Sequence, residues 1–250
     1  MPDIQYYKEY SPSLGRDMEF KIFGRKGKPV LVFPSFAGRF FQYEDFGMLE
    51  AWQPYLDDRR VQLFCVDSID GETFGAQGDV HVRIELQEAY FRYIRNEFIP
   101  KLFDYSNFIN GAPQKIFATG CSMGAYHAAN LFFRCPDVVD ILVGLSGVYH
   151  PRLFLGETDD PLVSLNAPLE FLAADHDDAY WHDVYRARLV FCAGQGAYDE
   201  KMLEDTLEMK NLLDSRKIPA FVDIWGRDVT HDWPWWKKQM AYFLPRVLDF

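Results

Sequence analysis

Lys115-Ile116-Phe117-Ala118-Thr119, then Gly120-Cys121-Ser122-Met123-Gly124, then Ala125-Tyr126-His127-Ala128-Ala129-Asn130-Leu131-Phe132-Phe133 read as strand, tight turn and helix in direct succession. The first run is β-branched and aromatic, and the last is alanine-rich and helical in character. A serine at the centre of a Gly-x-Ser-x-Gly turn must take a strained backbone conformation. The two glycines let the strand and helix backbones approach each other closely. Such a turn lifts the Ser122 hydroxyl clear of the sheet. The helix beginning at Met123 aims free N–H groups and its positive dipole end at any oxyanion forming beside that hydroxyl.

Outward from this turn, apolar strand-like runs alternate with helical segments, the pattern of a mostly parallel sheet covered on both faces. Eight runs are expected: Gln5–Tyr10, Met18–Phe23, Val30–Phe33, Val61–Val66, Lys115–Thr119, Ile141–Leu145, Leu189–Ala193 and Phe221–Trp225. The first two are separated by Ser11-Pro12-Ser13-Leu14-Gly15, which suggests a hairpin. Helices are expected near Tyr43–Leu56, Val82–Phe103, Ala125–Arg134, Glu200–Ser215 and Pro234–Leu248. No repeat, low-complexity tract or linker divides the chain, so residues 1–250 read as one domain. Tyr149–Ala187 mixes prolines, acidic residues and aromatics without clear period, as an insertion capping a pocket would.

The 250 residues are 48% hydrophobic, enough for a substantial core, and the aromatic share of 17% serves core packing and an apolar pocket alike. A formal net charge of -11 argues against nucleic acid and anionic membrane as partners, since both attract clustered Lys and Arg. The N-terminal Met1–Lys8 lacks the basic-then-apolar pattern of a secretion signal, and no 18-residue apolar run occurs; the expected location is the cytoplasm. Cys65, Cys121, Cys135 and Cys192 show no paired spacing and read as reduced core thiols. Cys121 flanks the centre of the turn and should point inward.

A serine hydroxyl needs a base to take its proton, and the base needs a carboxylate to fix its tautomer. On this architecture the chain order is serine, acid, histidine. The strand Leu189–Ala193 runs into Gly194-Gln195-Gly196-Ala197-Tyr198-Asp199-Glu200, which delivers Asp199 to the strand's C-terminal end; Glu200 and Asp205 are neighbouring alternatives. The last strand is followed by Gly226-Arg227-Asp228-Val229-Thr230-His231-Asp232-Trp233, which makes His231 the expected base. His127 is expected to be packed or hydrogen-bonded on the helix after Ser122. His176 and His182, among Asp175, Asp177, Asp178 and Asp183, read as a solvated acidic loop, since no pair has a recognised metal-ligand spacing. His81 and His150 have no informative neighbours. Two backbone donors are expected for a tetrahedral oxyanion. One is Met123 N–H, and the other is Phe36 or Ala37 N–H from the loop Pro34-Ser35-Phe36-Ala37-Gly38-Arg39.

Four segments together resemble the bacterial putative esterase family: Gly120–Asn130, Val30–Asp45 with Gly38-Arg39-Phe40 and Tyr43-Glu44-Asp45, Gly194-Gln195-Gly196-Ala197, and His231-Asp232-Trp233-Pro234-Trp235-Trp236. That group of α/β hydrolases includes S-formylglutathione hydrolase, enterochelin esterases and mycolyltransferases. The resemblance implies an α/β-hydrolase fold. It also implies hydrolysis of a small carboxylic ester through an acyl-enzyme on Ser122, with His231 and Asp199 and with no metal or organic cofactor. Acyl transfer uses the same constellation and differs only in what deacylates the enzyme. A binding protein that kept the hydrolase fold is the third expectation, and it would show an incomplete constellation or a blocked pocket.

Overall fold

The central strands are apolar at consecutive positions because helices cover both faces of the sheet they form. In the structure, a computed structural model that describes residues 3–249, these strands are β1 (Ile4–Ser11), β2 (Arg16–Phe23), β3 (Lys28–Phe33), β4 (Val61–Val66), β5 (Ile116–Cys121), β6 (Val139–Leu145), β7 (Arg188–Ala193) and β8 (Ala220–Ile224). Every residue of β4 and β5 is buried. The sheet order is β1-β2-β4-β3-β5-β6-β7-β8. The hairpin expected around Ser11–Gly15 is present, with Ser11 opposite Arg16, and β2 runs antiparallel to β4. From β4 to β8 the pairing is parallel, so the loops after β3, β5, β6, β7 and β8 leave from one edge of the sheet.

The helices are α1 (Gln42–Asp45), α2 (Leu49–Asp57), α3 (Val80–Arg92), α4 (Ile99–Asn110), α5 (Met123–Arg134), α6 (Arg152–Leu155), α7 (Pro161–Leu165), α8 (Pro168–Ala173), α9 (Asp178–Arg186), α10 (Glu200–Ser215) and α11 (Trp233–Leu248). One face of the sheet packs on α3, α4, α5 and α10 through Tyr90, Leu102, Phe132, Phe133 and Met209. The other packs on α2 and α11 through Trp52, Leu56, Trp236, Met240 and Phe243.

Three segments differ from the sequence-based expectation. The helix expected over Tyr43–Leu56 is two, because the chain bends at Gly47, whose φ of +69° interrupts the helix. The helix expected over Val82–Phe103 continues to Asn110 through a wider π-helical turn at Tyr93–Phe98, where Ile99 N–H bonds back to Ile94 O. Pro100 follows at once. It has no N–H to give to a carbonyl four residues behind, and a widened turn removes that demand. Tyr149–Ala187, which showed no period, holds α6 to α9, each too short to display one.

All four cysteines are buried and unpaired. Among the described residues no helix is long and apolar enough to cross a membrane.

Phe117 is fully buried on β5, with its ring 5.5 Å from that of Trp52. Phe117→Ala is expected to lower stability by about 3–5 kcal/mol in urea denaturation, because it opens a cavity between the sheet and α2. A loss under about 1 kcal/mol would contradict this packing.

Candidate active site

Ser122 sits between the last residue of β5 and the first of α5 with φ 56° and ψ -120°, a left-handed conformation that a serine reaches only under restraint. The restraint is close backbone packing. A Cβ on Gly120 would lie 2.4 Å from Gly124 C, and one on Gly124 would lie 2.4 Å from Phe33 O and 2.6 Å from Pro34 O. Any side chain at either position would push β5, α5 and the loop after β3 apart. Ser122 N–H also donates to Leu145 O at 2.8 Å, which ties the turn to the end of β6.

The loops after β7 and β8 meet beside this turn. Gly196 N–H donates to Val229 O at 2.8 Å and His231 N–H to Ala197 O at 3.1 Å, so the loops bearing Asp199 and His231 hold each other through their backbones. A Cβ on Gly194 would strike Val229 O at 2.3 Å, so glycine is required for that approach. The result is a continuous hydrogen-bonded chain. Ser122 Oγ–H donates to His231 Nε2 at 2.9 Å, and His231 Nδ1–H donates to Asp199 Oδ1 at 2.9 Å. Asp199 is fully buried, and Ser122 is 9% exposed. The other Asp199 oxygen accepts Gly194 N–H at 2.5 Å and Ser146 Oγ–H at 3.1 Å. The carboxyl group is thus shut off from water but provided with three hydrogen-bond donors.

Of the alternative acids, Glu200 opens α10 at an exposed position. Asp205 turns away, accepting Tyr149 N–H at 2.7 Å and His150 N–H at 3.0 Å. Cys121 is buried at the end of β5, and burial pushes its thiol pKa up. His127 is hydrogen-bonded, Nε2 to Asp70 Oδ1 at 2.7 Å, in a buried aromatic setting. His176 bonds through Nε2 to Phe171 O at 2.7 Å and stacks on Tyr180.

Met123 N–H is the first of α5, and a helix supplies no carbonyl to such a group. Because even a Cβ on Gly124 would strike Phe33 O and Pro34 O, the loop after β3 lies close against this helix end. That loop makes a tight turn closed by Gly38 N–H to Ser35 O at 2.8 Å, with Ala37 at φ 51°. Gln42 clamps it, accepting Ser35 N–H and donating to Ser35 Oγ, both at 2.8 Å. Arg39 Nε donates to both oxygens of Asp67, at 2.8 and 3.0 Å, and Asp67 also accepts Phe40 N–H at 2.9 Å. Burial pushes the Asp67 carboxyl pKa up, against the opposing pull of Arg39 and the Phe40 N–H. Sequence reading missed this clamp and Ser146. The only local signal for Ser146 was a small polar residue directly after the apolar run Ile141–Leu145.

Aromatic side chains from the loops and helices that follow the strands pair with one another. Phe36 stacks on Phe154 of α6 with centroids 5.7 Å apart and planes at 11°, and Phe154 also meets Phe74 at 5.9 Å. Trp233, two residues beyond His231, stacks on Phe46 at 4.7 Å.

No protein-family model matches this chain, and no curated protein sequence does. Solved structures match it over nearly its full length. A ferulic acid esterase is 13% identical with a TM-score of 0.76, over 99% of this chain and 98% of that one. An S-formylglutathione hydrolase from Agrobacterium tumefaciens is 14% identical with a TM-score of 0.74, over 99% and 95%. MPT51 (FbpC1) from Mycobacterium tuberculosis is 14% identical with a TM-score of 0.72, over 99% and 98%. The fold is that of the α/β hydrolases, as the resemblance of the sequence motifs implied.

Gly124→Ala places a methyl group against the Phe33 and Pro34 carbonyls. It is expected to cost about 1–3 kcal/mol in thermal or chemical unfolding, and a variant as stable as the parent would show that the turn is not packed as described.

Proposed function

We propose that the chain is a serine carboxylesterase in which Ser122, His231 and Asp199 form a catalytic triad. The observation that carries this reading is the unbroken chain of hydrogen bonds from the Ser122 hydroxyl through both ring nitrogens of His231 to a fully buried carboxylate. A fold kept only for binding is expected to show an incomplete constellation, whereas here all three side chains are hydrogen-bonded in series.

In this mechanism His231 Nε2 takes the Ser122 proton as Oγ attacks the ester carbonyl carbon, and Asp199 stabilises the imidazolium that results. The carbonyl oxygen becomes an oxyanion facing Met123 N–H and a second N–H from Phe36 or Ala37; one such donor is worth about 10²–10³ in rate. His231 then returns the proton to the leaving alcohol, and the acyl group stays on Ser122. Water, deprotonated by the same imidazole, then attacks the acyl carbon; the bond from that carbon to Ser122 Oγ breaks, Oγ takes the proton back from His231, and the acid leaves. Every proton is moved by these side chains, so the reaction calls for no metal or organic cofactor.

The insertion at 149–187 acts as a cap that shapes the pocket, and 1–250 acts as one domain around a shared sheet. The stacked and partly exposed Phe36 and Phe154 support an apolar or planar acyl group, in keeping with a ferulic acid esterase among the structural neighbours. Four buried, unpaired thiols suit the reducing cytoplasm, and the net charge of -11 suits a small-molecule substrate better than nucleic acid.

Ser122→Ala is expected to lower kcat for p-nitrophenyl acetate by at least about a thousandfold, and His231→Ala by a similar factor, with the double variant no worse than either. A Ser122→Ala protein as fast as the parent would end this reading.

A further inference from the structure

Behind Asp199 the hydrogen-bonded chain continues. Trp236 Nε1–H, on the first turn of α11, donates to Ser146 Oγ at 3.1 Å, and Ser146 Oγ–H donates to Asp199 Oδ2 at 3.1 Å. Both residues are buried, at 4% and 1% exposure, so water does not compete for these bonds. With the indole N–H occupying one side of the hydroxyl oxygen, the Ser146 proton is directed to the carboxylate. Trp236 has a second contact. Its ring meets the His231 imidazole edge-on, with centroids 4.8 Å apart and planes at 87°. Ser146 itself is held at φ 48°, a conformation unfavourable for any residue but glycine, and its N–H donates to Cys192 O at 2.6 Å.

We infer that Ser146 and Trp236 are positioning residues for the triad, one unit that fixes the Asp199 carboxylate and the His231 ring in register with Ser122. This rests on the esterase reading of Ser122, His231 and Asp199. At a left-handed position that glycine would occupy without strain, this serine supplies a hydroxyl. That hydroxyl reaches the one Asp199 oxygen that His231 does not use.

The backbone strain makes the role separable from folding. Ser146→Gly relieves the strained φ, which offsets part of the cost of leaving the Trp236 N–H and one Asp199 oxygen without the hydroxyl, so its unfolding temperature is expected to fall only modestly while kcat for p-nitrophenyl acetate falls about tenfold with KM little changed. Trp236→Phe keeps a ring beside His231 and removes the indole N–H. Its effect on kcat should be absorbed by Ser146→Ala, the double variant being no slower than the slower single one. Ser146→Gly with kcat within about twofold of the parent would overturn the assignment, as would fully multiplicative losses in the double variant. The Ser122→Ala protein, measured alongside, separates the two layers: if it is as active as the parent, the triad reading fails and this inference with it. If it is inactive while Ser146→Gly is unimpaired, only the positioning role fails.

Discussion

The contact of three backbones at Gly120 and Gly124 governs the geometry of the site. Here β5, α5 and the loop after β3 come closer than any side chain would permit. That approach goes with the left-handed conformation of Ser122 and brings the loop after β3, at Phe33 and Pro34, against the start of α5. The driving force comes from elsewhere. Burial of Phe117, Trp52, Phe132 and Phe133 on the two faces of the sheet stabilises the layers that meet at this point, and the strain at one residue is small beside it.

Strain is not spread evenly through the molecule. Among the described residues six that are not glycine have positive φ, and Ala37, Ser122, Ser146 and Tyr198 are four of them. They follow β3, β5, β6 and β7 respectively, at the sheet edge where the proposed triad assembles. Parallel strands bring these loops together, because each strand ends at the same edge and the next element must turn away from it. A polar constellation at this edge then needs few long-range devices. The mutual backbone bonds between the Asp199 and His231 loops and the Gln42 and Asp67 clamps on the loop after β3 supply them.

Features encoded by neighbours in the chain were legible in the sequence. Ser122 stood out because strand, turn and helix adjoin, and Asp199 and His231 because each follows an apolar run in a glycine-containing loop. The eight strands were visible as apolar runs for the same reason. Less visible were features that depend on partners far along the chain. Trp236 and Ser146 are 90 positions apart, and neither segment alone announces the bond between them. The stack of Phe36 on Phe154 is likewise a tertiary contact. Helices α6 to α9 were hidden by their length, since four to nine residues do not establish a helical period. The break at Gly47 and the π-helical turn before Pro100 needed backbone conformations that residue type suggests but does not fix.

The central claim is that Ser122 is a nucleophile made reactive by His231 and Asp199. Its most direct measurement is intact-mass and peptide analysis after treatment with a fluorophosphonate. A single adduct is expected, carried by Ser122 and formed far more slowly in His231→Ala. Absence of an adduct on the folded parent, or an adduct on another residue while Ser122 stays free, would contradict it.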